Sequence, residues 1–341
     1  MRTVFTLLAS IMLAWIALPA AETVRVITDR TQSHLTPILD AFTKASGVKV
    51  ETIFVEKGLL ARLQANPGEA DVVISASAEN LERARVGKAL RAFDSAVLSA
   101  LPQQYVDPDK AYVVLSYRAR GFFVSKDRVP KGAIATYEDL SKPEWQGKVL
   151  VRSGSHDYNV ALFSQMAASQ GLEFTKRFIA GLKANRARVP KGSDRDQVRA
   201  IKDGEGAISI GNSYYYAIML GNPDQKAWAE ATRYVFPDQG GKGTYVMRAG
   251  AGLTVADRAV AQATKLLEFL VSEAGQTYVV SSLNEYPILP GIAISDINKT
   301  LGAEQPEVKE GRFKINLVSL RDADAQREAV VKMLAELNFD Q

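Results

Sequence analysis

A two-lobed α/β fold on mostly parallel sheets is what this sequence predicts, and three observations carry the prediction. β-branched runs alternate with helically spaced apolar residues along the chain, the β-α-β grammar of parallel sheets. The length, 341 residues, exceeds what one hydrophobic core of about 250 residues accommodates. There is no cysteine, so apolar cores rather than disulfides must hold the chain.

The elements follow in order. Met1, Arg2 and Thr3 lead into an apolar run from Val4 to Ala17 that ends at Leu18, Pro19, Ala20 and Ala21. Such a run reads as a secretory signal, cut at Ala20 or Ala21, and it is shorter than the ~20 apolar residues of a membrane span. The mature chain is therefore expected to be exported. Val24 to Ile27 reads as a strand; Leu35, Ile38, Leu39 and Phe42 fall at helical spacing and stop before Gly47; Val48 to Val55 resumes strand character. The pattern returns at Asp71 to Ser75, and again where Ala207 to Ile210 gives way to a helix from Tyr214 to Leu220, stopped by Gly221, Asn222 and Pro223. Tyr112 to Ser116 and Phe122 to Ser125 read as two strands, and Ala249 to Val255 as a glycine-laced return.

Two crossings, near 115–125 and 247–255, divide the chain into residues 1–21 as signal, 22–118 with 252–341 as lobe one, and 119–251 as lobe two. Helices from Ala256 to Ala274 and from Ala323 to Leu337 are expected to pack back on lobe one. With Arg2 removed the balance is 41 basic against 38 acidic residues, without long runs of one sign, so nothing here marks a nucleic-acid binder. An enzyme is not expected either. Ser155, His156 and Asp157 are sequence neighbours, and neighbours do not line up as nucleophile, base and orienting acid.

The most informative stretch is Gly211-Asn212-Ser213-Tyr214-Tyr215-Tyr216, between a strand and a helix. Adjacent side chains diverge in a strand and in mid-helix, but at a strand-to-helix turn two in succession can converge. Ser213 is positioned to cap the helix, whose first turn then carries Tyr214 and Tyr215. A phenol titrates near 10 and ligates poorly while protonated; a trivalent hard cation drives off the proton and suits the phenolate. The bare triplet fits either such a site or an aromatic face packed on the core.

The ordered set of motifs resembles the ferric-binding proteins of bacterial iron importers. Asn212-Ser213-Tyr214-Tyr215 is similar to the opening of that family's binding helix. Tyr117-Arg118-Ala119-Arg120, Trp145-Gln146-Gly147-Lys148 with Arg152-Ser153, Tyr158-Asn159, Gly243-Thr244-Tyr245-Val246 with Gly250-Ala251-Gly252, and Asn284-Glu285-Tyr286-Pro287 look like further family segments in family order. The resemblance implies the periplasmic binding protein fold of the second topological type, closing by hinge motion, and a monomer that serves an inner-membrane ABC permease with its cytoplasmic ATPase. It implies Fe3+ as cargo and Tyr158, Tyr214 and Tyr215 as ligands, with Tyr216 packing nearby.

The sequence also departs from the family. Where many relatives carry Arg-His-Tyr after the first strand, this chain reads Arg30-Thr31-Gln32, so both first-loop ligands are absent. Gln32 stays near the site; His34 and His156 are assigned the commoner roles of helix start and surface loop. Three phenolates match the charge of Fe3+ but leave an octahedral ion about three positions. Carbonate, the anion some relatives use, fills two and requires basic partners. Arg118 and Arg120 lie two apart on one strand face, so one or both can clamp it; Arg30, Ser153 and Ser155 are further candidates. The alternative keeps the fold and replaces the cargo with a small organic or phosphorus-containing anion, a polyamine or thiamine.

Overall fold

The computed structural model describes residues 23–341, so the segment read as a signal, residues 1–21, lies outside it. Thr23–Thr28 pairs in parallel with Lys49–Phe54 on one side and Val72–Ser75 on the other. Gln32–Ser46 makes the first return, burying Leu35, Ile38, Leu39 and Phe42 and ending at Gly47 in the left-handed conformation. Val149–Leu150 and Ile208–Asn212 form a second parallel pair elsewhere. Each pair belongs to its own hydrophobic cluster: Val24, Val26 and Val73 in the first, Val149, Ile208 and Ile210 in the second.

Two long antiparallel strands, Tyr112–Ser125 and Thr244–Thr254, run through both clusters. Fourteen residues at about 3.3 Å each reach roughly 45 Å, enough to serve both. Where the sequence suggests two strands, 112–116 and 122–125, there is one, with a register shift between Val114 and Ser116. The arginines at 118 and 120 look like a break, yet both are buried: Asp194 and Asn159 receive Arg120, and the Ala76 carbonyl accepts one donor of Arg118. The return strand needs its glycines: a Cβ at Gly250 or Gly252 would lie 2.6 Å from the carbonyl oxygen of Val113 or Ala111.

The tail differs from expectation. The segment 256–274 divides into Val260–Val271 and Glu273–Leu283, which stay with the first cluster. The last helix, Leu320–Glu336, does not: its Val330, Met333 and Leu334, with Phe339 just beyond it, pack in the second cluster with Val160 and Phe163, and only Leu320 joins the first. Asp157–Gln170 explains this, since every residue from Asn159 to Ala167 is buried, Val160, Leu162, Phe163 and Met166 among them, and a helix buried all round needs cover on its outer side. Lys183 and Arg186 fix the carbonyls of Leu337 and Gln341. Among the described residues no helix is long and apolar enough to cross a membrane.

Candidate metal centre

A cleft of about 420 Å³ lies where the strand ends of the two clusters face each other. Arg30, Thr31, Ser33 and His34 line one side; Tyr158, Tyr214, Tyr215 and Arg195 line the other; Arg118 and Glu285 lie at its floor. Each tyrosine stands in the first turn of a helix. Tyr158 opens Asp157–Gln170, where the His156 imidazole accepts from the Tyr158 N–H at 3.1 Å. Tyr214 and Tyr215 open Tyr214–Leu220 directly after the strand Ile208–Asn212. Their ring centroids are 4.2 Å apart, so the turn does bring consecutive phenols to one side.

Ser213 reaches this result differently from expectation. It makes no side-chain cap; its hydroxyl accepts from the Ala119 N–H at 3.2 Å, and its own N–H donates to the Ala119 carbonyl at 3.0 Å. The turn is thus tied to the crossing strand. Tyr216 stacks on Phe123 at 6.3 Å and stays outside the cleft, packing as the sequence suggests. Gln32 is exposed at the helix start and does not line the cleft, whereas Thr31, Ser33 and His34 do.

Burial, with Tyr158 and Tyr215 as neighbours, pushes the Tyr214 phenol well above its ordinary value. Burial also lifts Tyr215, to about 12, with Tyr158 and Asp194 adding to the effect and Arg152 opposing it. These phenols ionise only for a strongly polarising guest. Among the described residues no three His, Cys, Asp or Glu side chains gather as a metal site; the cleft offers three phenols, with the carboxylates of Asp29 and Glu285 also in its lining.

The two arginines of the crossing strand have different fates. Arg118 is 1% exposed; its Nη2 donates to the Ala76 carbonyl at 2.6 Å, its Nη1 is 3.8 Å from Glu285, and Nε and Nη1 have no hydrogen-bond partner among the described residues. Its guanidinium carbon is 5.7 Å from the Tyr158 ring and 5.9 Å from the Tyr214 ring. Arg120 is instead consumed by the interior: Asp194 accepts at 2.5 Å and Asn159 at 2.7 Å. It does not line the cleft, so the paired-clamp reading reduces to Arg118. Arg30 reaches the cleft but is held bidentately by Glu285 at 2.8 and 3.0 Å. Ser153 and Ser155 are 2.7 Å from each other, Ser153 donates to Asp340, and neither lines the cleft.

Glu285 and Arg195 escaped the sequence reading as site residues. Burial alone would raise the Glu285 carboxyl; Arg30 and Arg118, with a hydrogen bond from Ser116, hold it down to about 2. Arg195 follows the Ser193 capping box and stands 5.9 Å from the Tyr215 ring, with one donor on Gln225. Glu285 lies in the quoted Asn-Glu-Tyr-Pro segment, which was a signal to follow; Arg195 looks like any charge on an amphipathic helix.

Residues 69–309 match the family described as bacterial extracellular solute-binding protein. The chain is 33% identical over 304 residues to iron uptake protein A1 of Synechocystis, covering 87% of this chain and 82% of the relative. It is similar to the ferric iron-binding protein A of Mannheimia haemolytica in an open conformation, with 40% identity, a TM-score of 0.86, and 94% of this chain and 100% of the other covered. It is also similar to a Trichodesmium protein in complex with iron and citrate, at 29% identity and a TM-score of 0.85, covering 93% of this chain and 99% of the other.

Proposed function

Because this chain belongs to the family of bacterial extracellular solute-binding proteins, we propose that it is the periplasmic carrier of a ferric-iron ABC importer. It takes Fe3+ on the phenolates of Tyr158, Tyr214 and Tyr215 and delivers it to an inner-membrane permease driven by a cytoplasmic ATPase. The carrying observation is the convergence of three phenols, from two helix starts, beside a buried guanidinium with donors to give.

The chemistry follows from charge. Each phenol loses a proton to the incoming ion, and three phenolates balance its charge. Arg118, whose free Nε and Nη1 lie on different edges of the guanidinium, donates from one of those edges to a small anion such as carbonate, which fills two more positions on the metal. Arg30 and Glu285 do not touch the cargo; their bidentate pair keeps Glu285 ionised and positions Arg118. Thr31 and Gln32 supply neither phenol nor imidazole from the first loop. Closure of lobe one (22–118 with 252–341, the last helix excepted) on lobe two (119–251), about the two long strands, shields the metal from water.

Metal analysis and a visible spectrum of the protein purified from its native compartment test this reading. We expect one iron per chain and a charge-transfer band that disappears on reduction. A colourless, metal-free protein carrying an organic anion, polyamine or thiamine would transfer the fold to another cargo.

A further inference from the structure

We propose that the rear of the crossing strands carries a second small-molecule site, built on Arg248 and suited to an organic monocarboxylate. Met247 pairs directly with Arg118, and Arg248 with Tyr117. Neighbouring strand residues point to opposite faces, so Arg248 points away from the tyrosine cleft. It is 3% exposed, and its Nε and Nη2 have no hydrogen-bond partner among the described residues. Leaving such donors unmet is costly, and a carboxylate would meet two of them at once. Glu79, the carboxylate that acts on Arg248, accepts instead from Ser77 at 2.7 Å.

Arg248 opens on a cavity of about 350 Å³. Liquid water takes about 30 Å³ per molecule, so the space suits an organic body rather than one water or a simple ion. Tyr105, Tyr112 and Val114 form one wall; Leu317, Val318 and Leu320 form the other. The amino terminus of the 17-residue helix Leu320–Glu336 also borders the cavity, adding partial positive charge. Other polar groups are engaged: the Tyr112 hydroxyl donates to Glu82 at 2.9 Å, and Arg321 donates to Asp107 at 2.6 Å. Arg248, whose free Nε and Nη2 lie on one edge of the guanidinium, together with the apolar walls suits a single carboxylate on a compact apolar body; the Arg321 Nε, also without a partner among the described residues, is a second donor in the lining.

Benzoate and its neutral counterpart benzamide are suitable probes, followed by ligand-observed NMR on the mature chain. Benzoate should bind saturably, with benzamide weaker by about tenfold or more. Arg248→Met should weaken benzoate by a similar factor. Leu317→Trp, a change at an exposed position, should do so by filling the mouth without touching Arg248. Arg118→Met should leave benzoate binding unchanged. Equal binding of benzoate and benzamide, or no saturable benzoate binding up to about 10 mM, would overturn the proposal. Binding that survives both Arg248→Met and Leu317→Trp, or is lost with Arg118→Met, would also overturn it.

Discussion

Arg118 and Arg120 are two residues apart on one strand, equally buried and on the same face, yet one opens a site and the other closes a core. At Arg120 the interior supplies a buried carboxylate and two side-chain amides. At Arg118 the protein supplies one carbonyl and a carboxylate 3.8 Å away that is already paired with Arg30. Arg118 keeps Nε and Nη1 without partners among the described residues and lines the cleft, whereas Arg120 keeps only Nε and does not line it; that difference, rather than residue type or burial, separates the two.

The largest test of that contrast is to remove the partner on the closed side. Asp194→Ala leaves Arg120 buried without its counter-ion and should destabilise the protein by about 3–5 kcal/mol in urea unfolding. Arg118→Met should cost about 1 kcal/mol, one hydrogen bond's worth, while abolishing any bicarbonate dependence of the iron-bound spectrum. Equal stability losses at the two sites would erase the distinction.

The contrast was half legible in the sequence. The convergence of Tyr214 and Tyr215 is local, set by a turn within a few residues, and could be read from the run itself. Tyr158 followed from the resemblance. That Arg120 meets Asp194, 74 residues on, and that Arg30 meets Glu285, 255 residues on, depends on tertiary packing that no local spacing encodes. Period-two alternation placed both arginines on one face and could go no further. The last helix failed for a related reason: its apolar stripe shows that it packs, and the need for cover over Asn159 to Ala167 decides where.

A smaller effect separates the cleft floor from the tyrosine helix by pH. Burial, with Arg152 nearby, lowers His156 to about 4, so between about 6.5 and 4 the unfolded chain binds a proton that the native protein does not. Stability should therefore fall as pH falls through that window. Glu285, held down to about 2, stabilises fully above the ordinary carboxylate range and loses its contribution only as pH falls toward 2. Urea midpoints at pH 7.5 and 5 should differ less in His156→Asn, which keeps a capping side chain without the titration, than in the native protein. An unchanged pH slope would remove His156 from the account.

The most direct test is a ferric titration of the metal-free protein, followed by the visible phenolate band. The native chain and Tyr216→Phe should develop the band with one equivalent of iron, and lose it as pH falls and protons reclaim the phenolates. Tyr158→Phe, Tyr214→Phe and Tyr215→Phe should each weaken or shift it, and the double change at 214 and 215 should abolish it. A full-strength, unshifted band in that double variant would contradict phenolate ligation at this cleft.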